Sequence, residues 1–311
     1  MIDIECIETQ DGAPLLCAVG ESPLWRADEA AWYWVDIPNA TIHRWQPANG
    51  RHDRWITREQ IACIAFDATG TLIAGMRTGL FALTLREDGA TDATLLAAPS
   101  MPRDGMRFND GRCDRQGRFW AGTMLMDMAL GAACGALYRY TSEAGLSAPV
   151  VDDLIVQNGL AWSPDGTTMY LSDSHASRRL IWAYDYDTTR GMPHLETRRI
   201  FADLHTAGSA PGGRPDGAAV DRDGGYWTCA NDGAAVLRYT ASGTLDLTVP
   251  LPVRKPAMCA FGGADNGTLL VTSIRLPDTP DHAPDGMVLA LRPGITGISE
   301  TPFGGVLGKL A

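Results

Sequence analysis

Basic charge is scarce in this chain, and that scarcity excludes the first class of function. The sequence carries 26 lysines and arginines against 37 aspartates and glutamates, a formal net charge of −11. A nucleic-acid binder needs a basic footprint to displace counterions from phosphates, so no nucleic acid is an expected partner. No basic run offers itself to an anionic membrane. No window of about 18 apolar residues exists, so no spanning helix is expected. The opening MIDIECIETQ lacks the basic and apolar regions of a secretory leader, which makes cytoplasmic the expected location. The seven cysteines (Cys6, Cys17, Cys63, Cys113, Cys134, Cys229 and Cys259) contain no C-x-x-C pair. Scattered and odd in number, they read as reduced, mostly buried thiols, not as a disulfide frame or a zinc site. The six histidines form no H-E-x-x-H or H-x-H pair, so imidazole ligation of a metal is not expected.

Helical periodicity is also missing. Short apolar runs bounded by Gly, Pro, Asn and Asp take its place, and they mark an all-β chain. With 45% hydrophobic residues in 311, a sizeable core is available. Several runs share one plan of strand, turn, strand and link: "IAFDATGTLIAGMRTGLFALTL", "GRCDRQGRFWAGT", "GLAWSPDGTTMYLSDS" and "GAAVDRDGGYWTCANDGAAVLRYT". "PLWRADEAAWYWVD" opens the series and "AMCAFGGADNGTLLVTS" closes it. The apolar residues before the first turn of each unit are Trp25, Phe66, Cys113, Trp162, Val220 and Phe261. Their spacings are 41, 47, 49, 58 and 41 residues. A period in the forties with three or four short strands per unit describes a β-propeller blade. A β-sandwich seldom repeats one hairpin six times, and a β-helix has a shorter coil. The expected fold is one six-bladed propeller domain over residues 1–311. Its N-terminal segment, 1–17, is expected to add a strand to the last blade.

The first strand of each propeller blade lines the central channel, and equivalent residues form rings. Four residues before the anchors stand Glu21, Ala62, Asn109, Asn158, Asp216 and Ala257. Two carboxylates and two amides would then meet at one mouth, a set of hard oxygen donors suited to a cation or a polar ligand. A divalent cation would neutralise Glu21 and Asp216, which without one would repel. The competing reading is local. Asn158-Gly159, Asp216-Gly217 and Asn109-Asp110-Gly111 are ordinary turn sequences, because Asn and Asp tolerate left-handed backbone and Gly adopts it freely.

The motifs "GESPLW", "RFNDGRCDRQGRFWAGTM", "NGLAWSPDG", "RPDGAAVDRDGGYW" and "CAFGG" resemble, in this order, those of the SMP-30/gluconolactonase family. The resemblance spans residues 17 to 292. It implies a metal-dependent propeller that hydrolyses sugar lactones, with a small sugar lactone as its partner and a role in carbohydrate metabolism. It places metal ligands on Glu21, Asn158 and Asp216, and substrate-holding residues on Arg107 and Asn109. A third substrate-binding position falls on Asp127, where the family commonly has Glu. The bound ion would be Ca²⁺, Mg²⁺, Mn²⁺, Fe²⁺ or Zn²⁺.

In such a site Asp216 is the candidate general base, and Arg107 and Asn109 would orient the substrate. Asp173 either orients the Asn158 amide from behind or caps a loop at its strand end. Asp36 and Asn231 hold the comparable positions in their own units. "SDSH" at 172–175 contains Ser, Asp and His, but neighbours in sequence do not make a triad, and no G-x-S-x-G elbow is present. Met124, Met126 and Met128 are expected at the mouth, with 204–215 and 275–286 as lid segments. A propeller needs no partner to protect its sheet edges, so a monomer is expected. Two other functions fit the same residues. One is a hydrolase of another ester or a phosphotriester. The other is a non-catalytic propeller with a structural cation that binds a small ligand or a protein.

Overall fold

A computed structural model describes residues 2–205, 212–280 and 282–307. Six antiparallel sheets follow one another along the chain. Their innermost strands are Gly20–Arg26, Ile61–Phe66, Met106–Cys113, Gln157–Trp162, Arg214–Val220 and Pro256–Gly262. Each sheet then runs outward strand by strand, as a propeller blade does. Blades three and four carry five strands instead of four, and blade four adds the short helical turn Leu195–Thr197. These additions account for the longest interval between the sequence anchors.

The sequence dictates each inner hairpin locally. In blades two, three and five the strand ends in Asp-x-x-Gly. Asp67 accepts from the backbone N–H of Thr69 and Thr71. Asp114 accepts from Gln116 and Arg118, and Asp221 from Asp223 and Gly225. The carboxylate thereby satisfies turn donors that the ladder leaves free. Blade faces are apolar and cannot be buried singly, so each packs on the next. One buried cluster joins blades one and two through Tyr33, Trp55, Ile64 and Phe66. Another joins three and four through Trp120, Trp162 and Tyr186, and a third joins five and six through Trp227 and Phe261. The aromatics of the strands serve blade-to-blade packing.

The last blade takes strands from both ends of the chain. Asp3–Cys6 pairs antiparallel with Leu289–Arg292, with Ile4 opposite Leu291. The far end of the channel is crossed by the C-terminal segment. Arg222 N–H donates to Thr296 O, Phe303 N–H to Phe66 O, and Gly304 N–H to Gly117 O. Glu300 there meets Arg112 at 3.1 Å, and Arg112 also donates to Ala218 O.

Every inner strand has a break in its ladder near the ring position. The register shifts between Glu21 and Leu24, Ile61 and Cys63, Phe108 and Gly111, Asn158 and Ala161, Pro215 and Ala218, and Pro256 and Cys259. A β-bulge re-aims side chains and is common beside functional sites. Asn109-Asp110-Gly111 is therefore a bulge inside a strand, not a turn. Gly159 shows why glycine follows a ring residue: its φ is +62°, and a Cβ there would collide with Ser172 and Tyr226.

Deletion of residues 2–6 should remove the packing of Ile2 and Ile4 and expose the Leu289–Arg292 edge. The expected loss is about 2 kcal/mol, from the partly buried isoleucines, and a few degrees in Tm. Scanning calorimetry and light scattering on the truncated protein check this.

Candidate functional site

Four of the six ring residues carry oxygen ligands, and the bulges bring all four into one mouth. Glu21, Asn109, Asn158 and Asp216 line a cavity of ≈ 350 Å³ together with Arg107. All four ring residues are buried, between 3 and 7% exposed, so their hydrogen bonds decide what they can do.

Two of the three candidate ligands, Asn158 and Asp216, are held from behind by side-chain hydrogen bonds. Asn158 Nδ2 donates to Ser174 Oγ at 2.8 Å, and Ser174 Oγ donates in turn to Pro215 O. This fixes the amide so that Asn158 Oδ1 lies beside Asn109 Nδ2 at 3.2 Å. Asn231 Nδ2 donates to Asp216 Oδ2 at 2.9 Å, while Asn231 Oδ1 accepts from Arg214 at 2.8 Å. Among the described residues, buried Asp216 Oδ1 has no hydrogen-bond partner, and neither has Glu21 Oε2. Two orphaned, buried carboxylate oxygens and a fixed amide oxygen in one cavity fit a hard divalent cation.

The electrostatics point the same way. Burial pushes the Glu21 carboxyl well above the usual range, with Asp216 and then Asp110 adding to it and Arg107 opposing. Asp216 is pushed up to about 7, chiefly by burial and then by Asp110, against Arg214 and the Asn231 hydrogen bond. Two carboxyls that resist ionisation in one mouth are ones that a cation would discharge. Burial pulls Arg107 down to about 10, which leaves it charged at neutral pH.

Arg107 and Asn109 are bonded to each other. Arg107 Nη1 donates to Asn109 Oδ1 at 2.7 Å, and Asn109 Nδ2 donates to Gln157 O at 2.7 Å. Asn109 is thus spent on positioning its neighbours. Arg107 keeps Nη2 and Nε without a hydrogen bond among the described residues. Asp110 Oδ2 accepts from Leu160 N–H at 2.9 Å and ties blade three to blade four.

Two sequence expectations are corrected. Asp127 does not line the mouth. Its exposed carboxylate accepts from Ala129 N–H and caps the short turn Met128–Leu130. Asp173 does not hold the Asn158 amide. It accepts from the N–H groups of Ile155, Val156 and His175, which makes it a loop cap. Asp36 does the same in blade one for Ala18 and Val19. Met124, Met126 and Met128 do line the mouth, with Ile274 and Leu276 opposite. Of segment 204–215, residues 206–211 lie outside the described residues; Arg214 lines the mouth.

A second ring lies above the first. Two residues further back from each ring position stand Val19, Gln60, Arg107, Val156, Arg214 and Lys255, and all six line the cavity. A strand repeats its facing every second residue, so this outer ring was available from the same register. Asn231, singled out in the sequence as the counterpart of Asp173, does orient a ring residue, Asp216; Ser174, one residue beyond Asp173, orients Asn158 without any sequence signal of its own.

The histidines are also closer than their spacing suggested. His43 and His52, on paired strands, meet at 2.9 Å between Nδ1 and Nε2 and stack on Trp34. Ligand-type atoms of Cys17, Asp36 and His43 lie within 4.8 Å of one another. Asp36 is already engaged there as the loop cap, and Cys17 Sγ accepts from Trp34 Nε1 at 3.2 Å.

Residues 19–275 match the family described as the SMP-30/Gluconolactonase/LRE-like region. The chain is 35% identical over 291 residues to 6-deoxy-6-sulfogluconolactonase of Pseudomonas putida, covering 92% of this chain and 95% of that one. It is 32% identical over 292 residues to L-arabinolactonase of Azospirillum brasilense, covering 92% of each. Its fold superposes on regucalcin of Agrobacterium tumefaciens, a calcium-binding protein, with a TM-score of 0.82 and 26% identity, over 95% of this chain and 96% of that one.

The raised carboxyls fix a pH dependence. A carboxyl held high in the fold contributes stability below the ordinary carboxylate range and loses it as the pH rises through its folded value, here about 7 for Asp216. Chelated protein should therefore lose several degrees of Tm between about pH 5 and pH 8. Asp216→Asn should flatten that slope, and a divalent cation at pH 8 should restore Tm in the wild type only. Scanning fluorimetry with and without chelator reads all three.

Proposed function

The chain belongs to the SMP-30/gluconolactonase/LRE-like family, and on that premise we propose that it hydrolyses a sugar lactone to the aldonic acid with the help of one divalent cation. The observation that carries the proposal is the convergence of the three ligands. Glu21, Asn158 and Asp216 each present an oxygen to one cavity that already holds the free guanidinium edge of Arg107. Relatives named as sugar lactonases support the substrate class. The calcium-binding name of a structural relative makes Ca²⁺ the first ion to test.

When bound, a divalent cation supplies Lewis acidity, which polarises a carbonyl and eases deprotonation of water. The remaining work falls to the chain. Arg107 Nη2 and Nε donate to hydroxyl or ring oxygens and fix the lactone's orientation. Water attacks the carbonyl carbon, the bond to the ring oxygen breaks, and a proton must pass from the water to the leaving oxygen. Asp216 Oδ1 would accept and return that proton, a role supported by the hydrogen bond with which Asn231 immobilises Oδ2. Burial raises the proton affinity of Asp216, the direction that a base requires, and a cation draws it back down. The methionine wall of Met124, Met126 and Met128 shields the reacting face from bulk water.

Glu21→Ala and Asn158→Ala should abolish turnover of aldonolactones under saturating cation. Arg107→Ala should mostly raise KM, about tenfold, if it binds ground and transition states alike. Asn231→Ala should weaken cation affinity by about 10–100-fold, because it removes the group that orients a ligand. Acid release from five- and six-membered aldonolactones, with chelated and reloaded protein, tests each. Absence of any acceleration with every cation overturns the proposal.

A further inference from the structure

The two rings of the mouth carry opposite charge. The inner ring holds two carboxylates and no cation. The outer ring holds Arg107, Arg214 and Lys255 and no carboxylate. A divalent cation would balance Glu21 and Asp216 in full. Three positive side chains then line the rim above it. Of the carboxylates nearby, Asp36 and Asp173 are turned onto loop N–H groups behind the rim, and Asp232 is shared between two of the cations. Asp232 accepts from Arg214 Nε at 2.9 Å and pairs with Lys255. The charged side chains that face the entrance are therefore all cationic.

A neutral polyol would be served by a mixture of donors and acceptors. This outer ring offers cations, one amide at Gln60 and two valines, and the walls beyond it are apolar: Ile37, Pro38, the methionines, Ile274 and Leu276. A cleft lined by one sign of charge with low-dielectric walls focuses its field on an oppositely charged ligand. The two cations differ in what they have left to give. Arg214 is committed to Asp232, Asn231 and Ser174 O. Lys255 spends one of its donors on Asp232 and keeps a fifth of its side chain exposed. Its backbone carbonyl is pinned by Ile274 N–H at 2.9 Å, so the flexible stem swings from a fixed base.

We infer that this site selects a sugar lactone bearing an anionic group, a carboxylate, phosphate ester or sulfonate, on the carbon remote from the lactone carbonyl, and that Lys255 grips that group while Arg214 adds its field. The inference rests on the lactonase reading and narrows its substrate. Lys255 is a specificity residue. It touches neither the reacting carbonyl nor the cation ligands.

The test measures kcat/KM for a neutral aldonolactone and for counterparts of the same ring size carrying a terminal carboxylate, phosphate or sulfonate. In the wild type at least one anionic lactone should exceed the neutral one by tenfold or more, and the three arms identify which anion. Lys255→Gln should cut that ratio at least tenfold, Lys255→Glu should invert it, and Lys255→Arg should keep most of it. Raising ionic strength from about 0.02 to 0.3 M should lower the wild-type ratio, since an entrance charge is screened. A neutral lactone turned over as well as every anionic one overturns the inference and leaves the lactonase reading intact. The same holds for a ratio unchanged in Lys255→Gln. Failure to accelerate any lactone, neutral or anionic, with any cation overturns both.

Discussion

Glu21 and Asp216 are forced into one buried mouth by the closure of the propeller, and much of the site follows from that confrontation. They lie about 195 residues apart in the chain, on blades one and five. Neither can be moved to water without breaking the ring, because each sits on an inner strand between packed neighbours. Their mutual repulsion and burial are tolerated only with a proton or a cation between them. The surrounding groups serve that arrangement. Asn231 orients Asp216 and Ser174 orients Asn158, Arg107 offsets Glu21 from the rim, and Asp110 locks blade three to blade four beneath it.

The bulges explain how a regular sheet makes so irregular a set of side chains. A strict strand would place the ring residues at the pitch of the pleat and point some of them into the blades. The extra residue in each inner strand turns the ring position toward the axis. One layer above, the strand period of two repeats the facing and produces the second ring. A single register therefore sets both the acidic floor and the cationic rim, and the polarity of the mouth is layered along the axis instead of scattered around it.

Much of this was legible in the sequence because a repeat exposes equivalence. Six hairpins in one pattern gave the blades, and a fixed offset from Trp25, Phe66, Cys113, Trp162, Val220 and Phe261 picked the ring. The second ring needed the same offset lengthened by two residues. Arg214 and Lys255 stand at that longer offset. Asp127 and Asp173 were misplaced for a different reason. A carboxylate near a strand end is equally suited to a ligand and to a loose backbone N–H, and short range decides. In both cases unpaired N–H groups of the adjoining loop lay closer than the mouth. Ser174 could not be read at all, since its role depends on Pro215 O arriving from the next blade. The His43 and His52 contact required the pairing of two outer strands, which the repeat located but did not align residue by residue.

The shared last blade has a consequence for synthesis. Its strand Asp3–Cys6 leaves the ribosome long before its partner Leu289–Arg292, with every other blade between them. Until the partner emerges, the early strand has no sheet to join, and the first and sixth blades have no common seam. The nascent chain must then persist as an open arc of blades with two unprotected faces. Such an arc is the state in which a chaperone would find apolar surface to hold. It is also the state in which two chains could exchange strands and close on each other.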